Sequence, residues 1–278
     1  MWKRRLFQAV AAVAVLLVII AAVLVMLWRD RPNLDNISWP PAPESGNGAL
    51  SATWLGVTTV LIDDGETQIL IDGFFSRPSL ADGLLRRPVT NDAAIINYAL
   101  HEFDMRRLAA VIPVHSHFDH AMDVGAIAKR TSASVLGSES TANIARGAGV
   151  IEDQIVVATP GQAYSFGEFE VRLLESRHGP IGWRGSIPLP GTIEEPLSMP
   201  APIQAMRLGA AYTVVIEHPL GTVAVQGSSG FIEGALADVQ ADLVLLCSYG
   251  LTSLGREYAE KYWQEMVTRT GAKAVIPM

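Results

Sequence analysis

The sequence predicts an α/β domain carried behind one N-terminal transmembrane helix. Two observations predict this class. Leu6 to Trp28 is a stretch of 23 residues without a charge, long enough to cross a hydrocarbon core of about 30 Å as a helix. Beyond it, short apolar runs rich in β-branched residues alternate with helical patterns as far as about Arg146, and further short strands follow. That order fits an α/β sandwich.

Lys3, Arg4 and Arg5 precede the apolar stretch, so the positive-inside rule places the N-terminus in the cytoplasm and the body outside. A cleaved signal peptide is the competing reading, but its apolar core is normally about 7–15 residues with a small-residue cleavage site. Here the stretch ends in Val-Met-Leu-Trp-Arg-Asp-Arg, which favours an uncleaved anchor in the cytoplasmic membrane. The expected organisation is an anchor over 1–28, a Pro-, Asn-, Ser- and Gly-rich linker over 29–50 and a domain over 51–278. Without the anchor and its charged flanks, 16 basic and 27 acidic residues remain, a formal charge of −11. Such a surface repels phosphate backbones and argues against a nucleic-acid partner. The single cysteine, Cys247, excludes an intrachain disulfide and sits in an apolar run as a small core residue.

Taken in order, Thr53–Ile62 and Gln68–Ile71 read as strands joined by the hairpin signal Asp63-Asp64-Gly65. Thr90 or Asn91 is positioned to cap a helix running to about Glu102, with Ile95, Ile96, Ala99 and Leu100 as its apolar stripe. A helix is expected over Ala121–Arg130, a strand over Ala133–Leu136, and a second helix over Ser138–Arg146 that Gly147-Ala148-Gly149 breaks. Strands are expected at Ile155–Ala158, Ala163–Phe166 and Glu170–Glu175. Tyr212–His218 and Thr222–Gln226 form a second hairpin, followed by a strand at Leu243–Leu246 and a helix over Glu257–Thr268. Between them, Gly179–Pro202 is a long aperiodic stretch with Trp183, which reads as a lid or a substrate-binding loop.

Val111–Asp123 carries the chemistry. An apolar run, Val-Ile-Pro-Val, delivers His115, His117, Asp119 and His120 within six residues. In an extended backbone, residues two apart point the same way, so His115 and His117 can face one metal. Asp119 and His120 follow where the chain turns into a helix. Imidazole and carboxylate suit zinc, iron or manganese.

On this His-x-His-x-Asp-His motif the sequence resembles the metallo-β-lactamase-fold hydrolases, from about Ala52 to its last residue. The resemblance implies an αββα four-layer sandwich with one or two zinc ions, or manganese or iron, at one edge of the sheets. It makes His178, at the end of Glu170–Glu175, the third histidine of a first site with His115 and His117. Asp119 and His120 would serve a second ion, and Asp119 would also orient the attacking water and shuttle its proton. Asp123 would stand behind these ligands. Phe74 and Phe75 would border the pocket, and Trp183 would touch substrate. Two departures stand out. Family members carry Gly-Asp after the second hairpin, and its carboxylate bridges two metals; here the stretch is Gly227-Ser228-Ser229-Gly230. A further histidine usually follows directly after a strand such as the closing segment Ala274-Val275-Ile276-Pro277-Met278; either the sequence stops short of it or the protein lacks it.

The function this implies is metal-dependent hydrolysis of an ester, lactone, amide or phosphodiester in a small-molecule or lipid-like substrate, by a water whose pKa the metal lowers to around 7. A phospholipase- or phosphodiesterase-type enzyme, a lactonase or β-lactamase-like amidase, and a catalytically silent metal- or partner-binding protein remain open. So does the oligomeric state.

Overall fold

The computed structural model describes residues 2–29 and 49–278, so nearly all of the expected linker lies outside the described residues. Met1–Glu44 and Ser45–Met278 are two separate compact units. In the first, helix α1 runs Trp2–Arg29. Within its Trp2–Met26 segment an 18-residue window has a mean hydropathy of 3.2 with none of it buried, a length and composition that suit a bilayer span.

The second unit opens with β1 (Ser51–Trp54), β2 (Val60–Asp63) and β3 (Gln68–Ile71), an antiparallel ribbon. Then come α2 (Leu80–Leu84), β4 (Pro88–Val89), α3 (Ala93–Glu102), β5 (Leu108–Ile112), α4 (Phe118–Ala121), α5 (Val124–Thr131), β6 (Ser134–Gly137), α6 (Glu139–Gly147) and β7 (Ile155–Val157). These strands, β4 excepted, form one sheet in the order β1-β2-β3-β5-β6-β7. A second sheet, ordered β14-β13-β12-β11-β9-β8, takes up β8 (Ala163–Phe166), β9 (Phe169–Ser176), β11 (Ala211–His218), β12 (Gly221–Gln226), β13 (Leu243–Leu246) and β14 (Ala274–Pro277). Between β9 and β11, β10 (Ala201–Pro202) pairs with β4; between β13 and β14 lie α7 (Leu251–Leu254) and α8 (Arg256–Trp263).

Three apolar layers make this an αββα sandwich. Ile62, Ile69, Ala110 and Ile112 of the first sheet meet Val171, Leu173, Val214 and Val225 of the second. The outer face of the first sheet, through Leu70 and Val111, packs on Ile96, Ile127 and Ile144 of α3, α5 and α6. On the outer face of the second, Val215, Ala224 and Val244 pack on Tyr262, Met266 and Val267. Central strands are therefore covered on both sides, and their sequences read as near-continuous apolar runs. Each fully buried aliphatic side chain contributes roughly 1.5–3 kcal/mol to this packing.

Several boundaries differ from the sequence expectation. The expected strand Thr53–Ile62 is two strands. A turn at Gly56 (φ 98°) and Val57 (φ 52°) folds β1 back on β2, with Trp54 opposite Val60. Neither Thr90 nor Asn91 caps α3. Asp92 does, accepting from Ala94 and Ile95 N–H at 3.0 and 3.1 Å. The helix expected over Ala121–Arg130 is broken at Asp123, whose carboxylate accepts from the Phe75 and Ser76 amides (2.9 and 2.6 Å), the Ser76 hydroxyl (2.7 Å) and Asn91 Nδ2 (2.8 Å). Asp123 thus ties down the loop after β3 and makes no hydrogen bond to a histidine. The helix over Glu257–Thr268 ends in a π-helical turn, Gln264–Thr268.

The Gly179–Pro202 stretch is not uniformly loose. Its second half is latched to α6: Leu197 N–H donates to Asn143 O (2.9 Å), Asn143 Nδ2 to Ile193 O (2.8 Å), and Ile193 N–H to Ser140 Oγ (2.9 Å). A Cβ at Gly147 would collide with the Leu197 backbone, so only glycine admits this contact.

Candidate metal centre

The ends of β5, β9, β12, β13 and β14 open on one edge, and residues just past them line a cavity of about 560 Å³: His117, His178, Gly227, Cys247 and Met278. Thr58, Asp119, His120, Ser228 and Ser229 join them. β5 is buried and ends in the β-branched pair Val111-Ile112, so it holds its exit rigidly. Val114 N–H donates to Asp72 Oδ1 at 2.9 Å, while Val114 O accepts from Tyr212 N–H of the other sheet at 2.9 Å. The next residue, His115, is 1% exposed. Ser116 N–H donates to Leu208 O (3.0 Å), which pins the motif from behind. His117 then starts α4 in extended conformation, and the single turn swings Asp119 and His120 back toward the cavity.

His115, His117 and His178 each place one ring nitrogen within 4.8 Å of the others, and all three are buried. His115 Nε2 and His117 Nδ1 are 3.0 Å apart. Two contacts fix tautomers. His117 Nε2 faces Leu189 O at 3.3 Å and His178 Nδ1 faces Gly179 O at 2.8 Å; a carbonyl only accepts, so each of these nitrogens carries the proton. The lone pairs of His117 Nδ1 and His178 Nε2 are thereby left for the shared space. Burial, with the charge of neighbouring imidazoles, pushes His115 well below the usual histidine range and His117 down to about 4. Burial lowers His178 also. All three are neutral near pH 7, the form that ligates. The donor set fits a divalent ion: three convergent neutral imidazoles leave one position of a tetrahedron open.

His120 behaves differently. Burial works against its charge, but Asp72 and Asp119 outweigh that and hold it up to about 9. Its Nδ1 lies 2.8 Å from Asp72 Oδ2, and its Nε2 lies 3.7 Å from Asp119 Oδ2. Asp119, 37% exposed in its side chain, reaches the cavity. Asp72 is fully buried and also accepts from the Thr58 hydroxyl. It was missed in the sequence reading, though a signal existed: an acidic residue ending an apolar strand and followed by Gly73 needs a buried partner. Tyr262, whose hydroxyl donates to the Ser228 and Cys247 carbonyls, and Leu189, whose carbonyl faces His117, steady the site from more remote positions in the chain and left no signal.

The structure does not bring every expected residue to the site. Phe74 and Phe75 are 5% and 6% exposed and lie beneath the wall rather than in it; Phe74 packs edge-on against Phe118, which lines the cavity. Trp183 is 83% exposed and outside the lining. Ser228 lines the cavity, and its Oγ accepts from Gly179 N–H at 2.7 Å. Ser229 Oγ is buried without a partner among the described residues. His218 pairs with Asp64 at 3.4 Å and is not in the cluster.

The chain is similar to a UPF0173 metal-dependent hydrolase of Heliobacterium modesticaldum, 29% identical over 130 residues, covering 47% of this chain and 46% of that one. A second UPF0173 metal-dependent hydrolase, from Rhizobium etli, is 27% identical over 129 residues, 46% of this chain and 48% of the relative. The chain spans about half the length of the curated relatives it matches. Among solved structures, the metallo hydrolase Igni18 of Ignicoccus hospitalis is 16% identical at a TM-score of 0.47, with 82% of each chain covered. The sequence profile of the metallo-beta-lactamase superfamily matches residues 52–197, just over half of the chain. This protein belongs to the metallo-beta-lactamase superfamily.

Proposed function

We propose that the protein is a metal-dependent hydrolase that cleaves a neutral acyl ester, lactone or amide. The convergence of three neutral, tautomer-fixed imidazoles carries this reading. His115, His117 and His178 would hold the first ion, zinc before manganese or iron for a compact all-imidazole set. A divalent ion there would supply Lewis acidity and acidify a water. The protein's own part is positional. Asp119, beside the cluster and open to the cavity, accepts a proton from the attacking water and returns it to the leaving group. Leu189 O and Gly179 O keep two imidazoles turned inward.

The wall favours an apolar substrate. Val57, Phe118, Ile181, Leu189, Tyr249 and Met278 are among its lining residues, and no Lys or Arg is. The protein cation beside Asp119 is His120, which is already paired with Asp72, so a phosphodiester gains little charge compensation from the wall and a carbonyl substrate ranks above it. The apolar helix α1 is proposed to anchor the chain in the cytoplasmic membrane with the body outside. A reporter fused after Met278 would then be active only outside the cytoplasm; cytoplasmic activity would reverse the orientation.

The test of the reaction is a panel of p-nitrophenyl acyl esters and bis-p-nitrophenyl phosphate, with chelator and with zinc, manganese or iron restored. Expected is acyl-ester turnover that chelation abolishes and metal restores. Faster phosphodiester turnover would overturn the substrate class. Metal binding without any turnover would favour the silent, binding-only reading, which the neutral Gly227–Gly230 stretch supports.

A further inference from the structure

Helix α2 presents an apolar face with nothing on it among the described residues. Its inner side is fastened: Gln204 Nε2 donates to Gly83 O at 2.6 Å, and a Cβ at Gly83 would lie 2.9 Å from Ile203 Cδ1. Its outer side carries Leu80 and Leu84, one turn apart, and the chain continues into Leu85; they are 79%, 75% and 60% exposed. Single exposed leucines are ordinary, but three in six residues form a patch. Exposed arginines flank it, Arg77 before and Arg86 and Arg87 after. The acidic residue here, Asp82, is turned into the helix cap with Ser79 and lies 3.9 Å from Arg87.

The patch runs on to the cavity mouth. The Arg77 guanidinium sits 4.6 Å over the Phe74 ring, and its Nη2 would lie 3.1 Å from a Cβ at Gly56. Next to Gly56, Val57 lines the cavity and is 37% exposed. Trp54, 54% exposed, donates its indole N–H to Val57 O at 2.8 Å. Tyr249, 73% exposed, also lines the cavity. On the stretch that supplies Ile181 and Leu189 to the wall, Trp183 is 83% exposed, with Arg184 5.7 Å from its ring.

Outside the anchor and its flanks the chain carries a charge of −11, yet this fringe combines leucine, tryptophan and tyrosine with arginine. That is the mixture the headgroup layer of a membrane accepts: apolar bodies dip in, aromatic rings sit at the boundary, and guanidinium groups meet lipid phosphates. The chain also provides the bilayer. Its own apolar helix suits a span, and the 20 peptide steps from Arg29 to Ala49 reach at most about 70 Å. We propose that this fringe docks on the surface of an anionic bilayer and presents the cavity mouth to lipid. The proposal uses the anchoring read above but not the hydrolytic reaction.

The test uses the full chain reconstituted in phosphatidylcholine vesicles with and without phosphatidylserine. An environment-sensitive fluorophore is placed at Leu84→Cys or Trp183→Cys, and spin-labelled lipid is the quencher. Leu220→Cys, an apolar residue 61% exposed at the β11–β12 turn, is the matched control; the unmodified chain gives the background from buried Cys247. Flotation with the vesicles reports anchoring separately, and no readout depends on turnover. Expected is lipid quenching at positions 84 and 183 in anionic vesicles and little at 220. Arg86→Gln with Arg87→Gln should lower the docked-to-free ratio roughly 30-fold, and added salt should lower it also. Equal quenching at 84 and 220 would overturn the proposal. So would a fringe dark to lipid in both compositions, including the case where cross-linking through position 84 joins two copies.

Discussion

The exits of β5 and β12 stand at matching places, one in each sheet, and both open on the same cavity, yet their chemistry is opposite. After β5 come three histidines and a carboxylate, the histidines buried and mutually adjacent. After β12 come Gly227, Ser228, Ser229 and Gly230, without a charge. The second exit is held as firmly as the first. Cβ atoms at Gly227 and Gly230 would collide with the Val114 side chain and the Arg177 carbonyl. The buried Tyr262 hydroxyl lies 3.1 Å from Ser228 O and 3.0 Å from Cys247 O. The lesson is that rigidity and ligation are separable here: the second exit keeps its geometry without an anionic ligand. A centre built this way is expected to bind one metal tightly and a second weakly, because two adjacent dications repel and the Gly227–Gly230 stretch offers no carboxylate to bridge them.

The largest effect expected is on the first exit. His117→Ala should remove bound metal altogether, beyond the 10–100-fold loss typical when only a supporting partner is changed; metal analysis after dialysis checks it. Next comes Asp72→Ala, which strands His120, Thr58 and Val114 N–H without their shared acceptor. Breaking such a buried pair costs about 3–5 kcal/mol, readable as a lower urea midpoint. On the second exit, Ser228→Asp should sharpen the contrast by erasing it. A unit charge at 4 Å is worth about 4 kcal/mol at an effective dielectric of 20, so second-metal affinity should rise by up to roughly 1,000-fold in a metal titration. The smallest effect is expected from Tyr262→Phe, about 1 kcal/mol of stability for one buried hydrogen bond, with first-metal content unchanged.

Much of the fold was legible because the two sheets bury both faces of their central strands, so β5, β11 and β12 stand out as apolar runs, while β9 shows as alternation. The break at Gly56-Val57 was not, since a tight turn between two apolar strands leaves their composition continuous. Asp92 displaced Thr90 and Asn91 as the cap because Asn91 is occupied by Asp123 and the Met122 carbonyl, a tertiary demand that no local pattern records. His115, His117, Asp119 and His120 were legible through spacing alone, whereas His178 needed the family resemblance. Phe74 and Phe75 were misplaced because Asp123, from a distant helix break, draws their loop inward.

The contrast between the two exits is tested most directly by counting metal in the purified chain after exhaustive dialysis, with zinc then titrated back. The account predicts about one tightly held ion per chain, lost in His117→Ala and retained in Ser228→Ala, with a second ion entering only at far higher concentration. Two equally tight ions in the unmodified chain would contradict it.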